Sequence, residues 1–187
     1  KEIVPKLRTS DTITITEIKK IFVDAVPNDI IIKVKNEKTG KLEEKIFGLP
    51  LSVDTLAMFY NKDLFNNAGI INPPAYWDKE FQQDVKKLTK QDNKGIIIQS
   101  GVALGGSDNI DRSPDILSVL MMQNGAVMME GGQVKFHLIP SSASSQNFSP
   151  GADALRFYSD FANPAKEVYS WNSSMDNSID IFAQGRL

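Results

Sequence analysis

A chain of 187 residues, 41% hydrophobic and 24% charged, has ordinary globular composition and enough length to bury a sizeable core, so disorder is not its expected state. A formal net charge of -2 offers no field for a polyanion, which removes nucleic acid from the expected partners, and the absence of cysteine removes disulfides, thiolate nucleophiles and zinc sites built on sulfur. No run approaches the roughly 18 apolar residues of a membrane span, and the opening KEIVPKLRTSD lacks the apolar centre of a signal peptide. The chain opens without Met and stops just after Gly185, so processing or truncation at both ends is expected.

Thr14 and Glu17 stand at capping-box spacing, and Ile15, Ile18, Phe22 and Val26 recur on one face, which predicts a helix from Thr14 to Val26 stopped by Pro27. DIIIKVK and KIFGLP are short β-rich runs around the polar NEKTGKLEE, with a turn at Thr39-Gly40. Leu56 to Tyr60 reads as a buried strand and Lys62 to Ala68 as a short helix stopped by Gly69. Beyond the stiff Pro73-Pro74, the apolar positions Phe81, Val85 and Leu88 predict a helix from about Trp77 to Thr89. GIIIQSGVAL reads as a strand. Ser113-Pro114-Asp115 predicts a helix start with Ser113 as cap, and Asn124-Gly125 its end. QVKFHLI alternates as a strand, SSASSQNFS is a polar loop, and Ser149-Pro150 begins a helix carrying Leu155, Tyr158 and Phe161. A last helix runs from about Asn177 to Gln184. Strands alternating with helices predict an α/β fold with helices on both sides of its sheets.

Few residues invite chemistry. His137, the single histidine, falls on the polar side of its run without a visible orienting partner, which makes it an ordinary surface residue; no G-x-S-x-G turn presents a serine to it. GVALGGS has the glycine spacing of a phosphate loop, but Gly106 stands where the lysine is needed, so a tight turn whose backbone N–H groups line a cleft is the better reading. In SDNIDRS, Ser107, Asn109, Asp111 and Arg112 gather polar side chains between a strand and a helix start. That is where ligands commonly sit in α/β proteins; a solvated loop is the alternative. Asp176 to Asp180 lacks the glycine and distal glutamate of a calcium loop and reads as a helix cap. The methionines at 121, 122, 128 and 129 read as core filling. Asn147 and Asn172 stand in N-x-S sequons, which carry no meaning without the host. Tyr169 and Trp171 sit one residue apart in a serine-rich loop, where their faces suit a sugar ring or an aromatic ligand; packing of Trp171 beneath the loop is the alternative.

The segments GLPLSVDTLAMFYNKDLFNNAGI, PPAYWDKEFQQDVKKLT, DILSVLMMQNGA and SIDIFAQGR, in that order and spacing, resemble the extracellular solute-binding proteins of ABC importers, in the group that includes maltose and oligosaccharide binders. Tyr76 stands where that family has a threonine before Trp77, and Lys79-Glu80 adds a residue before Phe81, departures that bear on helix capping. The resemblance runs from about Ile46 to the end.

It implies an α/β fold of the periplasmic-binding-protein-like class II, two-lobed and here incomplete, with residues 1–51 the tail of the first lobe and 52–187 most of the second. It also implies a non-enzymatic protein without cofactor, in the periplasm or on the outer face of the cytoplasmic membrane, with a lipid anchor as one arrangement of the full-length form. A solute, expected to be a carbohydrate, would be trapped by hinge closure and passed to ABC permease subunits. Asp54 stands at the first crossing between lobes, where the family often has a polar side chain; capping of a turn by Asp54 and Thr55 is the alternative. Ligand contacts are thus expected at Asp54, Ser107, Asn109, Asp111, Arg112, Tyr169 and Trp171. Two other classes stay open: a carbohydrate-active hydrolase with paired carboxylates drawn from Asp54, Asp108 and Asp111, and a peptide or protein interaction module.

Overall fold

Thr14 begins the first helix as its spacing predicts: its hydroxyl accepts from Glu17 N, and the Glu17 carboxylate answers on Thr14 N at 2.7 Å. The bond from the Thr14 N–H first, and a second donated by the Thr14 hydroxyl to the same carboxylate oxygen, hold the Glu17 carboxyl below its ordinary range. Residues 12–140 and 148–187 are described by the computed structural model, and they divide into two compact units between Thr55 and Leu56. The opening segment up to Asp11, the polar stretch 141–147 and the sequon at Asn147 lie outside the described residues.

In the first unit the predicted long helix is two short ones, α1 (Ile15–Ile21) and α2 (Ala25–Ile30). Pro27 lies inside the first turn of α2 instead of ending a helix, because a first-turn residue needs no N–H for an intrahelical bond. Strands β1 (Ile31–Lys35) and β2 (Leu42–Ile46) form an antiparallel hairpin with Ile31 opposite Ile46 and Lys35 opposite Leu42. Its turn is set by Asn36, whose Oδ1 accepts from Lys38 N and Thr39 N, and by Gly40 at φ +70°. Lys19 Nζ reaches Glu44 Oε2 at 2.8 Å and ties α1 to β2. Ile18 and Val26 are buried, while Val23, Ile32 and Leu42 are exposed.

The second unit opens on a correction. Leu56 to Tyr60 has no regular structure, and Met58 and Phe59 are 49% and 78% exposed, so this run is not a buried strand here. Helix α3 (Lys62–Asn67) follows, capped by Asn61 Oδ1 and ended at Gly69, as expected. Helix α4 (Lys79–Leu88) is capped by Asp78, which accepts from Glu80 N and Phe81 N, and it buries Phe81, Val85 and Leu88. Of the expected strand GIIIQSGVAL only β4 (Ile97–Gln99) forms, pairing back on β3 (Lys90–Gln91). Helix α5 (Ser113–Gln123) starts one residue earlier than predicted, with Arg112 at the cap in the left-handed region (φ 59°) and Ser113 inside the helix.

QVKFHLI yields only β6 (Gln133–Val134), paired with β5 (Met129–Glu130) across Gly131-Gly132, and its remainder turns away with His137 exposed. Helix α6 (Pro150–Asp160) buries Ala154 and Tyr158, with Phe161 beyond its end, while Leu155 is exposed; one residue's rotation of about 100° moves Leu155 off the apolar stripe. Helix α7 (Ser178–Ala183) is capped by Asn177 and precedes Gly185 at φ +70°.

The fold is mixed α/β, but among the described residues its sheets are three two-stranded antiparallel ladders, not a sheet flanked by helices. The main core lies in the second unit, where α4, α5 and α6 bring together Phe81, Val85, Leu104, Leu120, Met121, Ala154, Tyr158 and Phe161. Phe161 meets Phe81 and Phe157 edge-on at centroid separations of 5.8 and 5.2 Å. Met121 fills this core and Met128 packs against it, whereas Met122 and Met129 are exposed.

Candidate functional site

The loop between β4 and α5 is shaped by what a glycine can approach. At Gly105 (φ +92°) a Cβ would stand 2.6 Å from Ala162 N, so only glycine lets the loop lie against the end of α6. A Cβ on Gly106 would stand 3.1 Å from Asn109 Oδ1 and 3.2 Å from Trp171 Cδ1. The glycines of GVALGGS therefore serve close packing.

Four further bonds hold this loop. The Tyr158 hydroxyl donates to Gly106 O at 2.7 Å, and Ser113 Oγ donates to Ser107 O at 3.1 Å. Burial raises the pKa of the Tyr158 phenol, which keeps it protonated as that donor. Asp111 N donates to Ser178 Oγ at 3.1 Å, while Ser178 N donates to Asn109 O at 2.9 Å.

The second wall is the segment from Tyr169 to Met175. Ser170 and Trp171 both donate their backbone N–H to Phe161 O, and Ser100 Oγ donates to Ser170 O at 2.9 Å. Asn172 Nδ2 donates to the Tyr169 hydroxyl at 3.0 Å, and Asn172 Oδ1 accepts from Ser174 N and Ser174 Oγ. Between the two walls lies a cavity of about 280 Å³ lined by Gly105, Gly106, Ser107, Asp108, Asn109, Ala162, Asn172 and Ser173. Its lining carries hydroxyls, carboxamides and one carboxylate, and no basic side chain. Such a surface suits a neutral, hydroxyl-bearing molecule and repels an anion.

The expected contacts are distributed unevenly around this cavity. Ser107 and Asn109 line it, with Ser107 Oγ donating to Asp108 Oδ1 at 2.8 Å. Asp111 and Arg112 do not line it: Asp111 turns its backbone to Ser178, and Arg112 Nε pairs with Asp115 Oδ2 at 2.8 Å. Tyr169 reaches it only through Asn172. Trp171 is 0% exposed and packs with Ile110 and Ile181 beneath the loop, so it offers no open face; packing is its role in this structure. Asp54 belongs to the first unit, where it is exposed and its Oδ1 accepts from Thr55 N at 2.9 Å. Of the three carboxylates considered for paired catalysis, Asp108 alone lines the cavity.

Sequence reasoning missed Ala162, Asn172 and Ser173. Asn172-Ser173-Ser174 stood next to the aromatic pair as an available polar signal. Among the described residues no group of three or more His, Asp or Glu side chains is gathered to hold a metal ion, and no helix is long and apolar enough to cross a membrane.

The cavity offers fixed hydrogen-bonding groups to a small molecule. Residues 15–187 match the family described as bacterial extracellular solute-binding protein, and the chain belongs to that family. Membership implies an extracytoplasmic place. Proteins from Brucella abortus (strain 2308), Brucella abortus biovar 1 (strain 9-941) and Brucella suis biovar 1 (strain 1330), named as candidate binding proteins, are each 53% identical to this chain over 47 residues. That stretch is 25% of this chain and 11% of each relative, so the relatives are about twice as long as the chain. No solved structure matches it.

Proposed function

We propose that the chain is part of an extracytoplasmic protein that captures a carbohydrate and delivers it to the permease of an ABC importer. The observation that carries the choice of solute is the cavity lining: hydroxyl, carboxamide and carboxylate groups from Ser107, Asp108, Asn172 and Ser173, with no cationic side chain among them. Sugar hydroxyls both donate and accept, and a mixed lining of this kind fixes their orientation through many bonds of modest individual worth.

Capture by hinge closure follows from the family reading, with the first lobe's tail ending near Leu51 and most of the second lobe following. What supports a boundary in this region is the division of the described residues into two compact units between Thr55 and Leu56. Asp54 remains a proposed ligand contact on the strength of its place at the first crossing. Ser107 and Asn109 remain proposed contacts by their place in the lining. For Tyr169, Asp111 and Arg112 the proposal is reduced to support of the loops around the cavity.

The test is calorimetric titration of the full-length protein with maltose, glucose and the anion citrate, with turnover followed in parallel. Saturable binding of a neutral sugar without hydrolysis, absent for citrate and weakened about tenfold in Asp108→Ala, is the expected result. Hydrolysis of the disaccharide, or preference for citrate, would overturn it.

A further inference from the structure

We infer that Trp171 is a positioning residue that shapes the cavity through Asn109, and that Asn109 is the pin joining the cavity's two walls. The inference rests on the cavity being the ligand site only for its effect on binding. Its structural content stands on the hydrogen bonds alone.

Trp171 Nε1 donates to Asn109 Oδ1 at 2.9 Å, and Asn109 Nδ2 donates to both Asn172 O and Met175 O, each at 2.9 Å. Partner chemistry leaves one orientation for this carboxamide: an indole N–H can only donate and a peptide carbonyl can only accept, so Oδ1 must face the tryptophan and Nδ2 the two carbonyls. Both amide protons and one lone pair are then used. Asn109 has at most one acceptor site left for a ligand, which makes it a poor donor to solute and a strong fastener of loop to loop.

The backbone repeats the connection, since Ser178 N donates to Asn109 O. Trp171 itself is held from below by Ile110 and Ile181 and from its own backbone by Phe161 O. The indole thus transmits the rigidity of the core to a carboxamide at the cavity wall. Gly106, which lines the cavity, lies close against the pair, so any loosening of Asn109 would reach the lining directly. A phenylalanine at 171 would retain most of the buried surface and remove only the donor, leaving Asn109 Oδ1 without the bond that selects its orientation.

Trp171→Phe therefore separates the pin from the packing. In hydrogen exchange on the 187-residue chain, it should accelerate the amides of Asp111, Met175 and Ser178 about tenfold, with those of α4 and α6 unchanged. Asn109→Ala should give the same pattern, and the double variant should add little to either single one. Asn109 is only partly buried, so its variant keeps the test available if Trp171→Phe fails to fold. Uniform acceleration through α4 and α6, or full additivity of the two changes, would overturn the inference and leave Trp171 as core filling only. Maltose titration of the full-length protein supplies the second arm, with an affinity about tenfold weaker expected in Trp171→Phe. If the unaltered protein fails to bind maltose while the exchange pattern appears, the pin stands and the sugar reading falls. If it binds maltose and neither exchange nor affinity changes in Trp171→Phe, the pin falls.

Discussion

The two units reach order by different means. In the second, α4, α5 and α6 converge on interlocking aromatic rings, and buried polar groups such as Ser100 and Ser170 are bonded to backbone. The first is a hairpin and two helices of seven and six residues, in which, among the described residues, Ile18 and Val26 are the buried hydrophobic side chains. Its strand burial does not alternate cleanly between inside and outside, and Ile32 and Leu42 stand exposed. Local bonds, a capping box and an Asx turn, specify most of the first unit, and one ion pair, Lys19 to Glu44, joins its helix to its hairpin. Nonlocal burial specifies the second. Short helices and single hairpins are marginal without tertiary burial, so the two should differ in how far a single change spreads.

The largest effect is expected at Phe161, 0% exposed among the rings of the second unit. Phe161→Ala should cost about 3 to 5 kcal/mol and shift the main denaturant midpoint. A shift worth less than about 1 kcal/mol would show that the ring cluster is not the centre of that unit's stability. Ile18→Ala sharpens the comparison from the other side: a loss of about 2 to 4 kcal/mol exceeds what a core this small can tolerate. Exchange protection in β1 and β2 should then vanish while the main transition stays in place. Movement of both together would show that the units unfold as one.

Thr14→Ala removes the reciprocal cap of α1 and should destabilise that helix by about 1 kcal/mol, seen as faster exchange at Ile18 and Phe22 with no change in the second unit. The smallest effect belongs to Tyr158. Its folded pKa is raised by burial above the unfolded value of about 10, so its contribution is fully present below about pH 10 and lost as the pH climbs through the folded value. Tyr158→Phe should cost about 1 kcal/mol at pH 8, through the bond to Gly106 O, and the gap from the unaltered protein should narrow above pH 10. A gap independent of pH would detach the phenol's ionisation from stability.

Sequence legibility follows the same division between local and nonlocal causes. Caps at Thr14, Asn61, Asp78 and Asn177 sit within three residues of the amides they satisfy, and the helices they start were expected from the sequence, though the first breaks at Ile21 and the one after Asp78 starts two residues later than about Trp77. Strands need partners that no local pattern supplies. Leu56 to Tyr60 carries a strand's composition without strand structure, and GIIIQSGVAL keeps only its middle residues in a ladder. The cavity was half readable: the glycine turn and the polar loop after it pointed to one wall, while Ala162, Asn172 and Ser173 come from segments brought there by the end of α6. Trp171 misled by its neighbours. Serines and asparagines suggested a solvent-facing loop, but Ser170 and Trp171 share Phe161 O and are drawn into the core.

The chain contains two tryptophans, and their surroundings give them separate optical identities. Trp77 is partly exposed and donates to Gln123 Oε1, so its emission reports on the outer side of the aromatic cluster. Trp171 has no contact with solvent and lies directly beneath the polar cavity. Its emission is therefore expected at the blue end of the spectrum and out of reach of iodide, whereas that of Trp77 is quenched. Opening of the loop over Asn109 would redden the signal before the rest of the unit unfolds. In a Trp77→Phe background the cavity floor thus carries its own fluorescent gauge, and no label need be attached.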